Sequence, residues 1–237
     1  MVLSGFGLSL AAGACTFLGA VLVFLRSRIG IKELSFFLGL AAGVMVAVVA
    51  FDLIPSVLVS GGRGGFIFGA LAGWALIALI TMLTNPRNDG NGHRMVRIGY
   101  LIMLGIALHD LPEGMAISLG YEVSTRTAAA IALGIGIHNI PEGMAIAAPL
   151  LMGGRRRIKA GMEILAVGLV TPLGFLLGKL AVSVLPHYFG FFMGLAGGVM
   201  LYLVVRQLWP EARRTKSRWR YIGGLLGITI ILLATYI

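Results

Sequence analysis

The sequence predicts an all-α integral membrane protein with eight transmembrane helices. Of its 237 residues, 58% are hydrophobic and only 12% are charged, whereas a soluble domain carries about 25% charged residues. The mean hydropathy is +0.96. Apolar runs of about 20 residues, the length that crosses a bilayer as a helix, follow one another from end to end. Continuous runs of this kind exclude a transmembrane β-barrel, whose strands would alternate apolar and polar residues.

The predicted spans leave no room for a soluble domain, so we expect one transmembrane domain over residues 1–237. No basic segment precedes the first apolar run, which argues against a cleaved signal peptide. Cys15 is the single cysteine, which excludes an intrachain disulfide and a thiolate cluster. Spans 1 to 8 are predicted at residues 3–25, 34–56, 65–84, 97–120, 127–151, 161–185, 189–208 and 221–237.

The distribution of basic residues predicts the orientation of these spans. Fifteen of the 19 Lys and Arg residues lie in the connections after spans 1, 3, 5 and 7, Arg87 among them. Only Arg63 and Arg126 lie in the connections after spans 2, 4 and 6. The positive-inside rule therefore places both termini outside the cytoplasm. Anchoring to an anionic inner leaflet accounts for the net charge of +10, so we expect a multi-pass protein of the cell (inner) membrane and no nucleic-acid partner.

Spans 2 and 7 are similar in sequence although the predicted topology runs them in opposite directions. Residues 37–56 and 192–211 align without gaps and agree at ten of twenty positions. Spans 4 and 5, which are also antiparallel, share a nine-residue motif. Matching segments that cross the bilayer in opposite senses indicate inverted repeats, which are typical of secondary transporters. We expect a 3+2+3 arrangement, with spans 1–3 repeated as spans 6–8 and spans 4 and 5 between them.

The motif shared by spans 4 and 5 places a histidine and a glutamate four residues apart. It reads His-Asp-Leu-Pro-Glu-Gly-Met-Ala-Ile from His109 and His-Asn-Ile-Pro-Glu-Gly-Met-Ala-Ile from His138. Residues four apart share one helix face, so Glu113 and Glu142 point the same way as their histidines. Ionisable groups at this depth are costly and mark functional sites. Two imidazoles and two carboxylates suit Zn²⁺, Fe²⁺ or Mn²⁺ better than Mg²⁺ or Ca²⁺, which prefer oxygen ligands alone.

Asp110 and Asn139 directly follow the two histidines and lie about 100° round the helix from them. Two roles are open to them: ligation of a neighbouring second ion, or orientation of the histidines. Pro112 and Pro141 interrupt the helical hydrogen bonding, which is tolerated at membrane depth where the backbone lines a polar cavity. With neutral histidines the three carboxylates of the motifs carry a charge of −3. Metal binding needs deprotonated ligands, so we expect affinity or transport to fall as the pH drops.

These residues resemble the ZIP family of divalent metal transporters, in particular its small bacterial zinc-uptake branch. Spans 4 and 5 of that family carry His-Asn-x-Pro-Glu-Gly-like sequences, which match residues 109–114 and 138–143. The resemblance implies transport of Zn²⁺ above all, or of Cd²⁺, Fe²⁺ or Mn²⁺, toward the cytoplasm, with no resident cofactor. It also implies a homodimer, and an elevator-like movement of spans 1, 4, 5 and 6 against spans 2, 3, 7 and 8.

The sequence departs from the family pattern at three places. Thr171 precedes the proline of span 6, where this branch often has a glutamate, and Arg206-Gln207 stands where Asp-Glu is common in span 7. The histidine-rich loop after span 3 is reduced to His93. The first two changes remove acidic groups that would help to hold a second ion, so we expect a single metal ion. Arg206 either offsets part of the −3 charge or snorkels to the cytoplasmic surface.

Asp52, near the outer end of span 2, has three interpretations. In the first it lines the external mouth of a metal pathway, in the second it caps a helix, and in the third it pairs with Lys179.

Two other functional classes use similar chemistry. An intramembrane zinc hydrolase would combine such ligands with a metal-activated water, but the sequence lacks a His-Glu-x-x-His motif. A passive metal channel or a sensor is not separated from a carrier by sequence alone.

Overall fold

The structure, a computed structural model, describes residues 2–60, 62–84, 91–181 and 185–236. Arg87, one of the basic residues of the third connection, lies outside the described residues. The described chain is almost entirely helical and contains no strand. Eight helices, named α1 to α8 after the predicted spans 1 to 8, are long and apolar enough to cross a membrane. The predicted all-α fold with eight membrane-spanning helices is therefore confirmed.

Several helices extend beyond the predicted spans, because hydropathy detects only their apolar part. Helix α4 begins six residues before the predicted start, in a polar turn that includes Arg94, and α7 continues past residue 208 to Arg214. The helices comprise α1 Val2–Phe24; α2 Ile31–Val48, Val49–Leu53 and Ile54–Ser60; α3 Arg63–Leu83; α4 Asn91–Val123; α5 Thr125–Met152; α6 Arg157–Gly168 and Val170–Leu180; α7 Leu185–Leu203, Val204–Leu208 and Trp209–Arg214; and α8 Trp219–Tyr236.

A π-helical turn interrupts α2 and α7 at corresponding positions. The two turns, Val49–Leu53 and Val204–Leu208, are related by the offset that aligns residues 37–56 with 192–211. Pro55 and Pro210 follow them at the same distance. A π turn accommodates one extra residue, and a proline leaves an upstream carbonyl without its helical donor. The similarity of spans 2 and 7 thus extends from sequence to a local distortion of the helix.

Helices α2 and α7 each contact a peripheral helix through glycine. A Cβ atom added at Gly43 of α2 would lie 2.1 Å from the Gly224 oxygen of α8. One added at Gly198 of α7 would lie 2.1 Å from the Ala70 oxygen of α3. Only glycine permits such close backbone approach between membrane helices. The pairs α2–α8 and α7–α3 therefore correspond under the same alignment of the two halves.

A second set of glycines joins α5 to α1 and α4 to α6. A Cβ atom at Gly143 would lie 1.8 Å from the Thr16 oxygen, and one at Gly114 would lie 2.0 Å from the Thr171 oxygen. Gly114 and Gly143 occupy the same position of the shared motif. These contacts pack α1 against α5 and α6 against α4, the two helices that carry the motif.

Helix α6 breaks at Leu169, between its two segments. Pro172 lacks the N–H that would bond to the Gly168 carbonyl. That carbonyl instead faces α1, where a Cβ atom at Gly13 would lie 1.9 Å from it. The interruption of α6 therefore lies beside the contact with α1.

The main apolar core lies between the helices that surround the motif. It is built from side chains of α2, α4, α5 and α7 together with neighbours from α1 and α6. Helix α2 is the most buried of the eight, whereas α3 and α8 leave large apolar side chains exposed. Such apolar exposure suits helices that face lipid.

Candidate metal site

The four predicted ligands meet between α4 and α5, and each histidine contacts the glutamate of the other helix. His109 Nε2 lies 3.2 Å from Glu142 Oε2, and His138 Nε2 lies 3.1 Å from Glu113 Oε2. All four side chains are buried. The histidine that begins each motif pairs with the glutamate four residues into the other motif, as two antiparallel helices require. The structure thus brings two imidazoles and two carboxylates into one cluster.

A very short connection between α4 and α5 sets the register of these pairs. Only Ser124 separates Val123, the last residue of α4, from Thr125, the first of α5. Its Oγ atom accepts a hydrogen bond of 3.0 Å from the Thr127 N–H, which caps the start of α5. Because so tight a turn leaves little freedom to slide, the motif residues of the two helices face each other at one level.

The hydrogen bonding of His109 leaves its Nε2 atom available as a ligand. Nδ1 lies 3.0 Å from the Gly105 carbonyl oxygen, which can only accept, so Nδ1 carries the proton. Nε2 of the neutral ring then presents a lone pair toward Glu142 Oε2. Two lone pairs at this distance repel each other unless a proton or a metal ion lies between them. A backbone carbonyl on one ring nitrogen is the usual arrangement for a metal-binding histidine.

The spacing within each cross-helix pair is that of two neighbouring ligands of a small ion. Bonds of about 2.0–2.1 Å would place neighbouring ligand atoms about 3.3 Å apart. The two cross-helix contacts, at 3.2 and 3.1 Å, are close to that value. The ligand atoms of His109, Asp110 and Glu113 also lie within 4.8 Å of one another. His109 and Glu113 belong to different cross-helix pairs, so this proximity links the two pairs.

Four carboxylate oxygens in this region are buried without a hydrogen-bond partner among the described residues. They are both oxygens of Asp110, Oε1 of Glu113 and Oε1 of Glu142. Burying a charged oxygen without compensation costs several kcal/mol at least. A cation held by these oxygens and the two imidazoles would offset that cost. The donor set therefore fits a divalent ion that accepts both nitrogen and oxygen.

Asp110 and Asn139 differ in their surroundings although they share a motif position. Asp110 Oδ1 lies 3.7 Å from His109 Nε2, too far for a hydrogen bond but near the cluster. Asn139 instead donates from Nδ2 to the Ala12 carbonyl of α1 at 3.1 Å. Asn139 therefore attaches α5 to α1, and Asp110 is the better placed of the two to reach an ion.

Asp52 lies in the π turn of α2 and not at a helix end, so it caps no helix. Its Oδ1 accepts a hydrogen bond of 2.7 Å from Thr235 of α8. The alternative pairing with Lys179 is wrong, because Lys179 pairs with Glu122. Hydropathy gives no signal for the Thr235 contact, since threonine is common in apolar helices.

The residues that depart from the family pattern fall in two places. Thr171 lies beside Gly114, and its hydroxyl is buried without a partner among the described residues. Arg206 and Gln207 line a cavity together with Arg94 and Glu211, and Arg206 is exposed. This position favours snorkelling of Arg206 over direct neutralisation of the carboxylates.

Sequence reasoning also missed an ion pair between α4 and α7. Arg94 donates to both oxygens of Glu211, at 2.8 and 2.9 Å. Both residues lie outside the predicted apolar spans, in connections where a charged residue gives no indication of its partner. The pair joins the start of α4 to the last segment of α7.

Comparison with known proteins gives consistent matches. A family described as "ZIP Zinc transporter" matches residues 81–235. A protein named zinc transporter ZupT from Chlorobium chlorochromatii is 30% identical, with 98% of this chain and 96% of that protein covered. The ZupT proteins of Corynebacterium glutamicum and Stenotrophomonas maltophilia are 34% and 31% identical; the alignments cover 95% and 92% of this chain and 95% and 89% of those proteins.

Proposed function

The chain belongs to the ZIP family of zinc transporters, and we propose on this basis that the cluster between α4 and α5 is its transport site. Zn²⁺ is the principal substrate in this proposal, with Fe²⁺, Mn²⁺ and Cd²⁺ as further candidates. The observation that carries it is the pair of cross-helix contacts, His109 with Glu142 and His138 with Glu113. Like its relatives, the protein is a transporter and not an enzyme, and it crosses the membrane several times.

The burial of the cluster supports a carrier over an open channel. His109 and Glu142 have no exposed surface, and Glu113 and His138 are 3% exposed. An ion at this position would be closed off from water by protein. A carrier needs such an occluded state, because the site must face one side of the membrane at a time. A channel would instead require a continuous wetted path.

Two helix groups with matching internal contacts support an elevator-type movement. Close glycine contacts join α1 to α5, α1 to α6 and α4 to α6, which form the first group in this proposal; others join α2 to α8 and α3 to α7, the two pairs of the second group. The corresponding π turns of α2 and α7 support the inverted 3+2+3 repeat. In this proposal the first group carries the ion near the bilayer midplane past the second, toward the cytoplasm. Asp52, in the π turn of α2, then lies on the external side of that path.

The remaining parts of the proposal rest on the distribution of the basic residues along the chain and on membership of the family. Both termini lie outside the cytoplasm, and the single transmembrane domain lies in the inner membrane as a homodimer. One ion occupies the site, bound by His109, Glu113, His138 and Glu142; Asp110 lies beside it on α4, and Asn139 supports α5 through its bond to α1.

The test is uptake of metal ions into proteoliposomes that contain the purified full-length protein. We expect saturable uptake of Zn²⁺ at least tenfold above that of protein-free liposomes, competition by Cd²⁺, and no competition by Mg²⁺ or Ca²⁺, because these two prefer sites built from oxygen alone. Uptake no greater than in protein-free liposomes for Zn²⁺, Cd²⁺, Fe²⁺ and Mn²⁺ alike would refute the proposed function.

A further inference from the structure

A basic cavity lies where the connection between α1 and α2 meets the connection between α5 and α6. Its volume is about 470 Å³, within the range of about 300–1,000 Å³ that is usual for small-molecule sites. The lining begins on α5 at Leu151, nine residues after Glu142 and about 14 Å further along the helix. The cavity is therefore separate from the candidate metal site. Its arginines are Arg26, Arg28, Arg155, Arg156 and Arg157.

Four of these arginines keep an unbalanced charge. Arg155 is paired with Glu163 of α6, whereas the other four form no ion pair with any residue that the structure describes. No described residue with a carboxylate lines the cavity. Glu33, at the start of α2, instead accepts a hydrogen bond of 3.0 Å from the Gly30 N–H. Because guanidinium groups stay protonated, the lining carries an excess of four positive charges and attracts anions.

Arg157 fixes the two connections against each other. Its Nη2 atom donates to the carbonyl oxygens of Arg26 and Ser27, at 2.8 and 3.2 Å. These bonds join the start of α6 to the residues that follow α1, so arginines from both connections face one space. The positive-inside distribution explains why basic residues lie on this side of the molecule. It does not explain their convergence, since Arg213 and Arg218, on the same predicted side, lie outside the cavity.

The start of α6 adds a second attraction for an anion. Arg156 and Arg157 line the cavity where this helix begins, and no side chain caps it. The first N–H groups of an α-helix lack a partner within the helix, and the helix dipole places partial positive charge on them. Negatively charged groups such as phosphate therefore bind favourably at a helix start.

Exposed apolar side chains next to the arginines indicate the source of the anion. Leu25, which precedes Arg26, is 77% exposed, and Ile158, which follows Arg157, is 73% exposed. In a protein that crosses the bilayer, such side chains at helix ends face lipid, while neighbouring arginines reach the head groups. Basic pockets of membrane proteins bind the head groups of anionic lipids. An anionic phospholipid uses both features, whereas a free phosphate ion would use the arginines alone.

We propose that this cavity binds the phosphate group of an anionic phospholipid. Guanidinium groups bind phosphate through paired hydrogen bonds, and Arg28 and Arg156 supply such groups, one from each connection. The acyl chains lie along the apolar surface that includes Leu25 and Ile158. A defined site for one lipid differs from a diffuse attraction of the basic surface to an anionic leaflet. The site does not depend on the proposed transport function.

The test measures binding of short-chain phosphatidylglycerol to the zinc-free, full-length protein in uncharged detergent. A salt concentration of about 0.15 M screens diffuse surface attraction. We expect Arg28→Gln and Arg156→Gln each to weaken binding about tenfold, because each removes one charge-assisted contact. Both side chains are exposed, so these variants should keep the melting temperature of the wild type. Arg218→Gln is the matched control, an exposed arginine on the same predicted side that lies outside the cavity.

Short-chain phosphatidylcholine, which has no net charge, and inorganic phosphate identify the ligand. Weak binding of both supports the lipid site, provided that phosphatidylglycerol binding falls in the two site variants and is kept in Arg218→Gln. Inorganic phosphate bound as tightly as phosphatidylglycerol, with the same response to the variants, would show a site for free phosphate and overturn the lipid assignment. Equal weakening by Arg218→Gln would show a diffuse surface effect and overturn the site. Absence of binding at millimolar phosphatidylglycerol would overturn it as well.

Discussion

Replacing His109 or Glu142 is expected to reduce zinc uptake by about a hundredfold or more while the protein stays folded. These side chains form one of the two cross-helix contacts, at 3.2 Å, so either substitution removes a ligand from the site. Loss of partners that only orient a ligand already costs about 10–100-fold in affinity or activity. His109→Ala and Glu142→Gln, in proteoliposomes under identical zinc gradients, provide the measurement.

Stability in the same variants separates loss of function from loss of folding. Glu142→Gln removes a buried charge, so in the presence of a chelator it should melt no lower than the wild type. Zinc should raise the melting temperature of the wild type, because a ligand that binds only the folded state stabilises it. That increase should vanish in both variants. His187→Ala, at an exposed histidine near the start of α7, is the matched control and should keep both uptake and zinc-dependent stabilisation. Uptake by both site variants within twofold of the wild type would contradict the assignment.

Gly143→Ala is expected to cause the largest loss of stability of any single methyl addition in α5. The added Cβ would lie 1.8 Å from the Thr16 carbonyl oxygen, so α1 and α5 would have to separate by more than 1 Å. Overpacking a well-packed interior costs about 1–3 kcal/mol and occasionally more. A backbone carbonyl cannot rotate away as a side chain would, so we expect the upper end of that range. Thermal unfolding of the purified protein in detergent measures it.

Gly134→Ala provides the matched control for this effect on the same helix. A Cβ atom at Gly134 meets nothing within 4 Å, and alanine favours a helix over glycine by about 1 kcal/mol. This variant should therefore melt at or above the wild-type temperature. Gly114→Ala, at the equivalent motif position of α4, should behave like Gly143→Ala, because its Cβ would lie 2.0 Å from the Thr171 oxygen. Similar melting of Gly134→Ala and Gly143→Ala would show that the α1–α5 contact is loose.

The sequence predicts the existence of the cluster more reliably than its internal arrangement. Histidine and glutamate four residues apart in two apolar spans indicate a shared polar face, and the structure brings His109, Glu113, His138 and Glu142 together. Which histidine contacts which glutamate depends on helix register, which is set by the one-residue connection at Ser124. The span pattern alone does not fix the length of that connection, because hydropathy misses the polar ends of both helices.

Differences between equivalent residues required the tertiary structure. Asp110 and Asn139 occupy the same motif position, yet Asn139 bonds to the Ala12 carbonyl and Asp110 lies by His109. Their neighbours come from different helices, so no local pattern separates them. Arg206 stood out in the sequence as a departure from an acidic position. Its convergence with Arg94 and Arg214 on one cavity depends on how the start of α4 meets the last two segments of α7.

The prolines were a partial signal for the helix distortions. Helix α6 breaks at Leu169, just upstream of Pro172. Pro55 and Pro210 follow π turns, while α4 and α5 continue through Pro112 and Pro141. All five prolines lack the backbone N–H, so the packing around each one decides whether its helix breaks, widens into a π turn or continues.

Anomalous diffraction at the zinc absorption edge, from crystals grown with Zn²⁺, tests the central claim most directly. The account predicts one strong peak between α4 and α5, within about 2.0–2.2 Å of His109 Nε2, His138 Nε2 and an oxygen of each glutamate. A second fully occupied peak next to it would refute the single-ion proposal alone. A peak elsewhere in the protein, with these four side chains bound to no ion, would contradict the account as a whole.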